Sequence, residues 1–242
     1  MTSGGTTAEG VRMAAMAAAV SDLSQIELSH RLVEGIAAFG GHPRYRHEPR
    51  GSLERGDPTS HFEIGMSEHT GTHLDAPVHV VVGGHDITSF GAVFTRAAVL
   101  RPLEPESNVG LADLRRFERA AGRIEAGDSV LVDHGWASRW GHESFMANWP
   151  AVEVELASEL VDRGVVLVAA DTPSPDHAGC DRTFPVHEVV LGAGAFIGEN
   201  FANLARLGDW CLLNLLPLSI GGGTGSPVRA IASTMTDSTA VQ

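Results

Sequence analysis

The sequence predicts a mixed α/β fold, because apolar strand patterns alternate with helical patterns along most of its 242 residues. Residues 165–170 are an all-apolar run of the kind found in strands that are buried on both faces. Residues 154–163, just before that run, have helical spacing and end at Gly164, a common residue after a last helical turn. A composition with 43% hydrophobic and 19% charged residues is ordinary for a globular enzyme with a substantial core.

The remaining elements follow from the same patterns. Strands are predicted at residues 26–32, 62–66, 97–100, 128–134, 195–200 and 212–220, and helices at residues 111–117 and 184–191. Residues 35–58 are rich in Gly, Pro, Arg and His, so we expect a long loop there, and such loops are often functional. The Gly-rich stretch 221–229 lacks the Gly-Lys-Ser/Thr ending of a phosphate-binding loop and is interpreted as a tight structural turn near the site.

Residues 1–22 are expected to form a flexible or weakly helical leader, and residues 23–242 a single domain. The apolar run at 13–20 is shorter than the ~20 residues of a membrane span and lacks the basic start of a signal peptide.

Cys180 and Cys211 are too few for a disulfide framework, so we expect a reduced cytoplasmic location and an inert Cys180. The net charge of −13 argues against nucleic acid and against an anionic membrane as partners.

Three histidines and one aspartate fall within the twelve residues 68–79. His69, His73, Asp75 and His79 all occupy odd positions, so an extended backbone would direct their side chains to one face. The glycine, the two threonines and the proline among them disfavour a helix. One isolated histidine is more often a core or surface residue, but imidazoles and a carboxylate on one face favour a zinc or manganese site.

The string His-Thr-Gly-Thr-His-Leu-Asp-Ala-Pro-Val-His at residues 69–79 resembles the signature of the cyclase-like metal-dependent hydrolase family. That family includes bacterial kynurenine formamidases and isatin hydrolases, and the resemblance extends over roughly residues 24–234. It implies a single domain of the mixed swivelling β/β/α type. It also implies a homo-oligomer, either a homodimer or a homotetramer.

The resemblance further implies a set of metal ligands. In that set His69, His73 and Asp75 hold one ion, while Asp75 and Glu199 bridge to a second ion, whose other protein ligand is His187. His187 and Glu199 have the family's spacing of twelve residues. Without the resemblance they would be interpreted as an exposed helix residue and a solvated strand end. One or two ions of zinc or manganese would suit these donors.

The resemblance makes His79 the proton shuttle, and elementary chemistry agrees with that role. Bound dications would lower the pKa of water from ~15.7 towards neutrality, which supplies hydroxide for attack on a carbonyl. They would also stabilise the oxyanion that results. An imidazole whose pKa is near neutral can deliver the proton that a leaving amide nitrogen needs.

Four further residues are predicted to lie near the substrate: Phe39, Trp136, Asp171 and His177. Phe39 lies in the expected long loop, and Trp136 follows the strand at residues 128–134. Asp171 and His177 could be ligands on position alone, but the resemblance makes their segment a loop of Asp-Thr-Pro-Ser type that shapes the site. The chain departs from the kynurenine formamidase pattern at two places. Kynurenine formamidases tend to have Trp-Pro-Gly where this chain has Phe-Gly-Gly at residues 39–41, and paired histidines where it has His-Glu at residues 187–188.

The predicted activity is hydrolysis of a C–N bond in an amide, formamide or lactam of a small cyclic or aryl substrate. Two alternatives stay open. The first is a metal-dependent cyclase or dehydratase that acts on a small carbonyl compound, because the same residues could support it. The second is a non-catalytic metal-binding protein, which would have no need of a spare imidazole beside the metal.

Overall fold

The computed structural model describes residues 7–179 and 183–235 of the chain. The ten strands in these residues are β1 (Ser24–Glu27), β2 (Arg46–Gly51), β3 (His61–Gly65), β4 (His73–Asp75), β5 (Phe94–Leu100), β6 (Ser129–Val132), β7 (Leu167–Ala170), β8 (Phe196–Glu199), β9 (Trp210–Pro217) and β10 (Gly225–Thr234). The four α-helices within the same described residues are α1 (Ala8–Ser21), α2 (Leu111–Ala121), α3 (Val154–Asp162) and α4 (Pro185–Gly192).

The large sheet closes on itself. Its strand order is β1-β10-β4-β8-β7-β6-β5-β9, and β9 also pairs with β10, so the seven strands β4 to β10 form a barrel. Strands β5 to β8 pair parallel with one another, whereas every pairing that involves β4, β9 or β10 is antiparallel. This arrangement confirms the prediction of a mixed α/β fold in a single domain.

Two apolar cores lie on opposite sides of the barrel wall. Along β6 and β7, Leu131 and Leu167 contribute to the barrel interior, while Val130 and Val168 contribute to the core beneath the outer helices. This alternation follows from the period of two in a strand. It explains why both strands are apolar throughout, since each is buried on its two faces.

The prediction of a long loop over residues 35–58 was wrong in one respect. Strand β2 lies within this range and forms a hairpin with β3. The sequence of β2 has no apolar alternation, since its side chains are mostly exposed and charged. One face of the hairpin is held by ion pairs such as Arg50 with Glu63. The other face leaves Phe62 and Ile64 exposed. Strand β10 was also missed, because its first residues continue the Gly-rich stretch.

The ligand segment is less extended than predicted. Only β4 is a strand, and the chain turns through a short 3₁₀ helix at Pro77–His79 before the turns that follow. Proline at the first position of that helix favours the turn over a continued strand. The apolar run Val-Val-Val at residues 80–82 is therefore not a strand.

Helix α1 has no buried side chain. In the part of the chain that the structure describes, no helix has both the length and the apolarity that a bilayer crossing requires. Cys211 is a free thiol, and burial raises its pKa to about 12. Cys180 lies outside the described residues.

Candidate metal centre

Strand pairing and one helix bring the two distant parts of the predicted ligand set together. β4 pairs with β8 so that His73 lies opposite Glu199, and Asp75 lies two residues further along β4 on the same face. From α4, Nε2 of His187 lies 3.4 Å from Oδ2 of Asp75 and 3.4 Å from Oε1 of Glu199. Before β4, Nδ1 of His69 lies 2.6 Å from Oδ1 of Asp75. All five side chains therefore surround one point.

His73 provides the clearest test of whether a cation fits there. Its Nδ1 lies 2.8 Å from the carbonyl oxygen of Gly71, which can only accept, so Nδ1 carries a proton. Its Nε2 is buried with no hydrogen-bond partner and lies 3.4 Å from Asp75 Oδ1 and 3.3 Å from Glu199 Oε2. Burial alone would lower the pKa of His73, but the two carboxylates outweigh it and raise it to about 10. The space between His73 Nε2 and the two carboxylate oxygens therefore stabilises a positive charge, so a metal ion fits there.

His187 is held from behind by Asp176, a residue outside the predicted set. Nδ1 of His187 lies 2.6 Å from Oδ2 of Asp176, and the same carboxylate accepts the backbone N–H groups of Val186 and His187. Burial lowers the pKa of His187, but Asp176, Asp75 and Glu199 together raise it well above its usual value. The outward nitrogen is thus occupied, and Nε2 is directed to the site.

The buried Asp75 is the common contact of the three imidazoles. Burial would raise its pKa, but His73, followed by hydrogen bonds from His187 and His69, holds the pKa well below its usual value. Of the residues that the structure describes, His69, His73 and Asp75 form one group with ligand atoms within 4.8 Å of one another, and Asp75, His79 and His187 form a second. The first group is a site that can hold a divalent metal.

His79 lies on the short turn after β4, exposed on the cavity side of the cluster. Its ring centroid is 4.2 Å from that of His69 and 6.0 Å from that of His187. Partial desolvation of the ring lowers the pKa of His79, which favours the neutral imidazole near pH 7. A neutral imidazole here can accept a proton, and its proximity to Asp75 and His187 would also allow it to bind metal.

The cluster opens into a cavity of about 200 Å³. Its wall is mostly apolar and aromatic, with contributions from Ala37, Phe39, Val80, Trp140, Met146, Pro173 and Phe184. Its polar lining, apart from the cluster and His79, includes His42, Ser174 and Asn200. Phe39 thus lines the cavity, and its contact with a substrate stays a prediction; Trp140 is a further aromatic residue of the same wall.

The other three predicted substrate neighbours do not line this cavity. Trp136 is buried against Phe145 and donates its indole N–H to that residue's carbonyl oxygen, 2.9 Å away. Asp171 is buried and accepts the backbone N–H groups of His134 and Ala137, and burial raises its pKa to about 7. His177 is exposed, with Nδ1 2.6 Å from the carbonyl oxygen of Ala178.

The amino-acid sequence of this chain is similar to those of known proteins. The family model named Cyclase matches residues 26–177. A kynurenine formamidase of Polaromonas naphthalenivorans is 32% identical over 93% of this chain and 97% of its own length. A kynurenine formamidase of Bacillus cereus is 29% identical over 85% of this chain and 95% of its own.

The fold is similar to that of solved structures. Isatin hydrolase A from Labrenzia aggregata, solved with benzyl benzoate, superposes with a TM-score of 0.83 at 24% identity. The superposition covers 93% of this chain and 99% of that one. The barrel and its outer helices are therefore shared with that enzyme.

Proposed function

This chain belongs to the Cyclase family, and from that premise we propose that it is a metal-dependent hydrolase that cleaves the C–N bond of a small cyclic or aryl amide, formamide or lactam. The observation that carries the proposal is the convergence of three imidazoles and two carboxylates around the unpartnered Nε2 of His73. The names of its relatives, kynurenine formamidases, agree with this bond type.

The proposed ligands divide between two positions. His69 and His73 would hold one ion, and His187 would hold the second. The carboxylates of Asp75 and Glu199 would contribute to both positions. One or two ions of zinc or manganese are proposed, since imidazole and carboxylate donors suit both metals. When bound, such a metal supplies a water of lowered pKa and polarises the substrate carbonyl.

The chain's own residues would handle the proton and the substrate. His79 is proposed to take a proton at its ring nitrogen and return it to the amide nitrogen as the C–N bond breaks. Its neutral state near pH 7 supports that role, because only a neutral imidazole can accept the proton. Phe39, Trp140 and Phe184 would receive a flat apolar ring against the cavity wall.

We propose three further features of the protein, which concern its assembly, its location and its domain bounds. We propose that the protein is a homodimer or a homotetramer. The exposed apolar side chains of Phe62 and Ile64 on the β2–β3 hairpin support this, because a subunit interface would bury them. A cytoplasmic location is proposed from the cysteine content. We also propose that residues 1–22 are a leader outside the domain 23–242, which the lack of buried side chains in α1 supports.

Two measurements test the hydrolase proposal. Elemental analysis of the purified protein is expected to find one or two equivalents of zinc or manganese per chain. A screen of aryl formamides, lactams and cyclic imides in ¹⁸O-labelled water is then expected to give an acid product with one labelled oxygen. A ring-closed or dehydrated product without label would support the cyclase alternative, to which the family's name also points. A protein with neither metal nor turnover would refute the proposal.

A further inference from the structure

His69 differs from the other two imidazoles of the cluster in the nitrogen that faces the carboxylates. His73 and His187 turn Nε2 inwards, and each has an outward Nδ1 paired with an oxygen that can only accept. His69 instead turns Nδ1 inwards, 2.6 Å from Oδ1 of Asp75. Its outward Nε2 lies 2.9 Å from the hydroxyl oxygen of Thr224. A hydroxyl can both donate and accept, so Thr224 by itself leaves the tautomer of His69 open.

Glu68 removes that ambiguity. Its Oε2 lies 2.8 Å from the Thr224 hydroxyl oxygen and 2.8 Å from the Thr224 backbone nitrogen. An ionised carboxylate has no proton to give, so the hydroxyl must donate to Glu68. The hydroxyl then has only lone pairs to offer His69, whose Nε2 must carry the proton. With a proton fixed on Nε2, Nδ1 is the nitrogen whose lone pair His69 can offer to a metal ion in place of its contact with Asp75.

We propose that Glu68 and Thr224 are positioning residues that fix the tautomer of His69, so that Nδ1 rather than Nε2 binds the metal. The proposal rests on the metal site proposed above. Outer hydrogen bonds of this kind orient metal-binding imidazoles in many proteins, and their loss typically weakens metal binding ~10–100-fold.

The fold brings Thr224 to His69 although the two residues are 155 positions apart in the sequence. Thr224 immediately precedes β10, and Gly225 pairs with Asp75 of β4. The carbonyl oxygen of Thr224 also accepts the backbone N–H of Ala76 at 2.9 Å. A Cβ on Gly225 would lie 2.8 Å from Cε1 of His69 and 2.6 Å from the Leu74 carbonyl oxygen, so only glycine permits this approach. The hydroxyl is thus held by the sheet and not by a free loop.

Two pairs of variants test the proposal through zinc affinity, measured in metal-free protein by competition with a chromogenic chelator. Thr224→Val removes the hydroxyl at nearly constant volume and is expected to weaken Zn²⁺ binding ~10–100-fold. Thr224→Ser keeps the hydroxyl and is expected to stay within about threefold of the unmodified protein. Equal affinities for the Val and Ser variants would overturn the proposal.

The second pair separates orientation from charge. Glu68→Gln keeps an oxygen that can accept both Thr224 bonds but removes the negative charge, whereas Glu68→Ala removes both. Under the proposal, Gln retains most of the affinity and Ala loses it. If Gln and Ala weaken Zn²⁺ binding equally, long-range attraction by the carboxylate explains the effect, and the tautomer proposal is overturned.

A readout that needs no variant is the ¹⁵N NMR spectrum of histidine-labelled, Zn²⁺-loaded protein. His69 is expected to show zinc-bound Nδ1 and protonated Nε2, opposite to His73 and His187. Zinc on Nε2 of His69 would overturn the proposal even if every variant failed to fold. Protein that binds no Zn²⁺ at all would instead refute the proposed function, so the two failures are distinguishable.

Discussion

The metal cluster and the wall of the adjoining cavity are built by different parts of the fold. His73, Asp75 and Glu199 lie on paired barrel strands, and each is at most 7% exposed. The wall comes from connecting segments, and its Phe39 is 37% exposed. The barrel therefore fixes the groups that would perform the chemistry, and the loops carry those that would contact the substrate. Substitutions in the cluster should therefore affect metal binding and turnover, whereas substitutions in the cavity wall should have smaller effects, confined to substrate binding.

The largest effect is expected from Asp75→Ala. This carboxylate contacts all three imidazoles of the cluster, so its loss should abolish metal binding and turnover together. Elemental analysis and an activity assay on the same preparation measure both. Asp162→Ala at the exposed end of α3 is the matched control and should change neither. Retained metal with full activity in Asp75→Ala would remove the basis of the metal site.

His79→Ala should separate proton transfer from metal binding. If His79 is the shuttle, kcat falls ~10²–10⁴-fold while the metal content is unchanged. Its ring also lies close enough to Asp75 and His187 to bind metal, so loss of one equivalent of metal would reassign it as a ligand. His142→Ala, at an exposed histidine outside the cavity wall, serves as the control.

Asp176→Ala tests the support behind the cluster. Without this carboxylate the His187 ring loses its outer partner, so metal affinity should fall ~10–100-fold. Isothermal titration of the metal-free variant measures the change. Circular dichroism is the necessary companion, because Asp176 also accepts two backbone N–H groups in the first turn of α4. An unchanged dissociation constant in a folded variant would show that α4 alone orients His187.

The sequence predicted the cluster better than its surroundings, for a physical reason. The ligand motif at residues 69–79 is contiguous, and the all-apolar run at residues 165–170 reveals β7 without any tertiary information. The roles of Asp176 and Thr224 depend instead on which segments the closed barrel brings together, and neither residue type is distinctive by itself. Strand β2 was missed because its exposed charged side chains bear no apolar pattern. The family resemblance was needed to relate His187 to the cluster.

Phe39→Ala should have a smaller effect, confined to substrate binding. Removing one aromatic wall residue costs about 1.5 kcal/mol of contact, which is ~10-fold in KM, while kcat and metal content should stay nearly constant. Steady-state kinetics with an aryl substrate measures the separation. Phe94→Ala is the control, since Phe94 is also exposed but lies outside the cavity wall. A fall in kcat with unchanged KM would mean that the loop does more than contact the substrate.

Asp171 lies outside both regions and should affect stability without changing the chemistry. Burial raises its folded-state pKa to about 7, from an ordinary value of 3.8. As pH rises, the unfolded chain loses this proton first, so between about pH 4 and 7 only the folded state retains it. The contribution of Asp171 to stability therefore declines through that interval and is lost above it, by at most ~4 kcal/mol.

Urea unfolding of the metal-free protein between pH 5 and 8 tests this, with Asp171→Asn as the variant that cannot titrate. The unmodified protein should lose more stability with rising pH than the variant does, because every other titrating group is common to both. The variant will be less stable at all pH values, since its amide places an N–H against a backbone donor, either His134 or Ala137. Parallel pH profiles would mean that these backbone N–H groups keep Asp171 ionised despite its burial. In either case metal affinity should be unchanged, because Asp171 contacts backbone donors of the segment after β6 and none of the cluster.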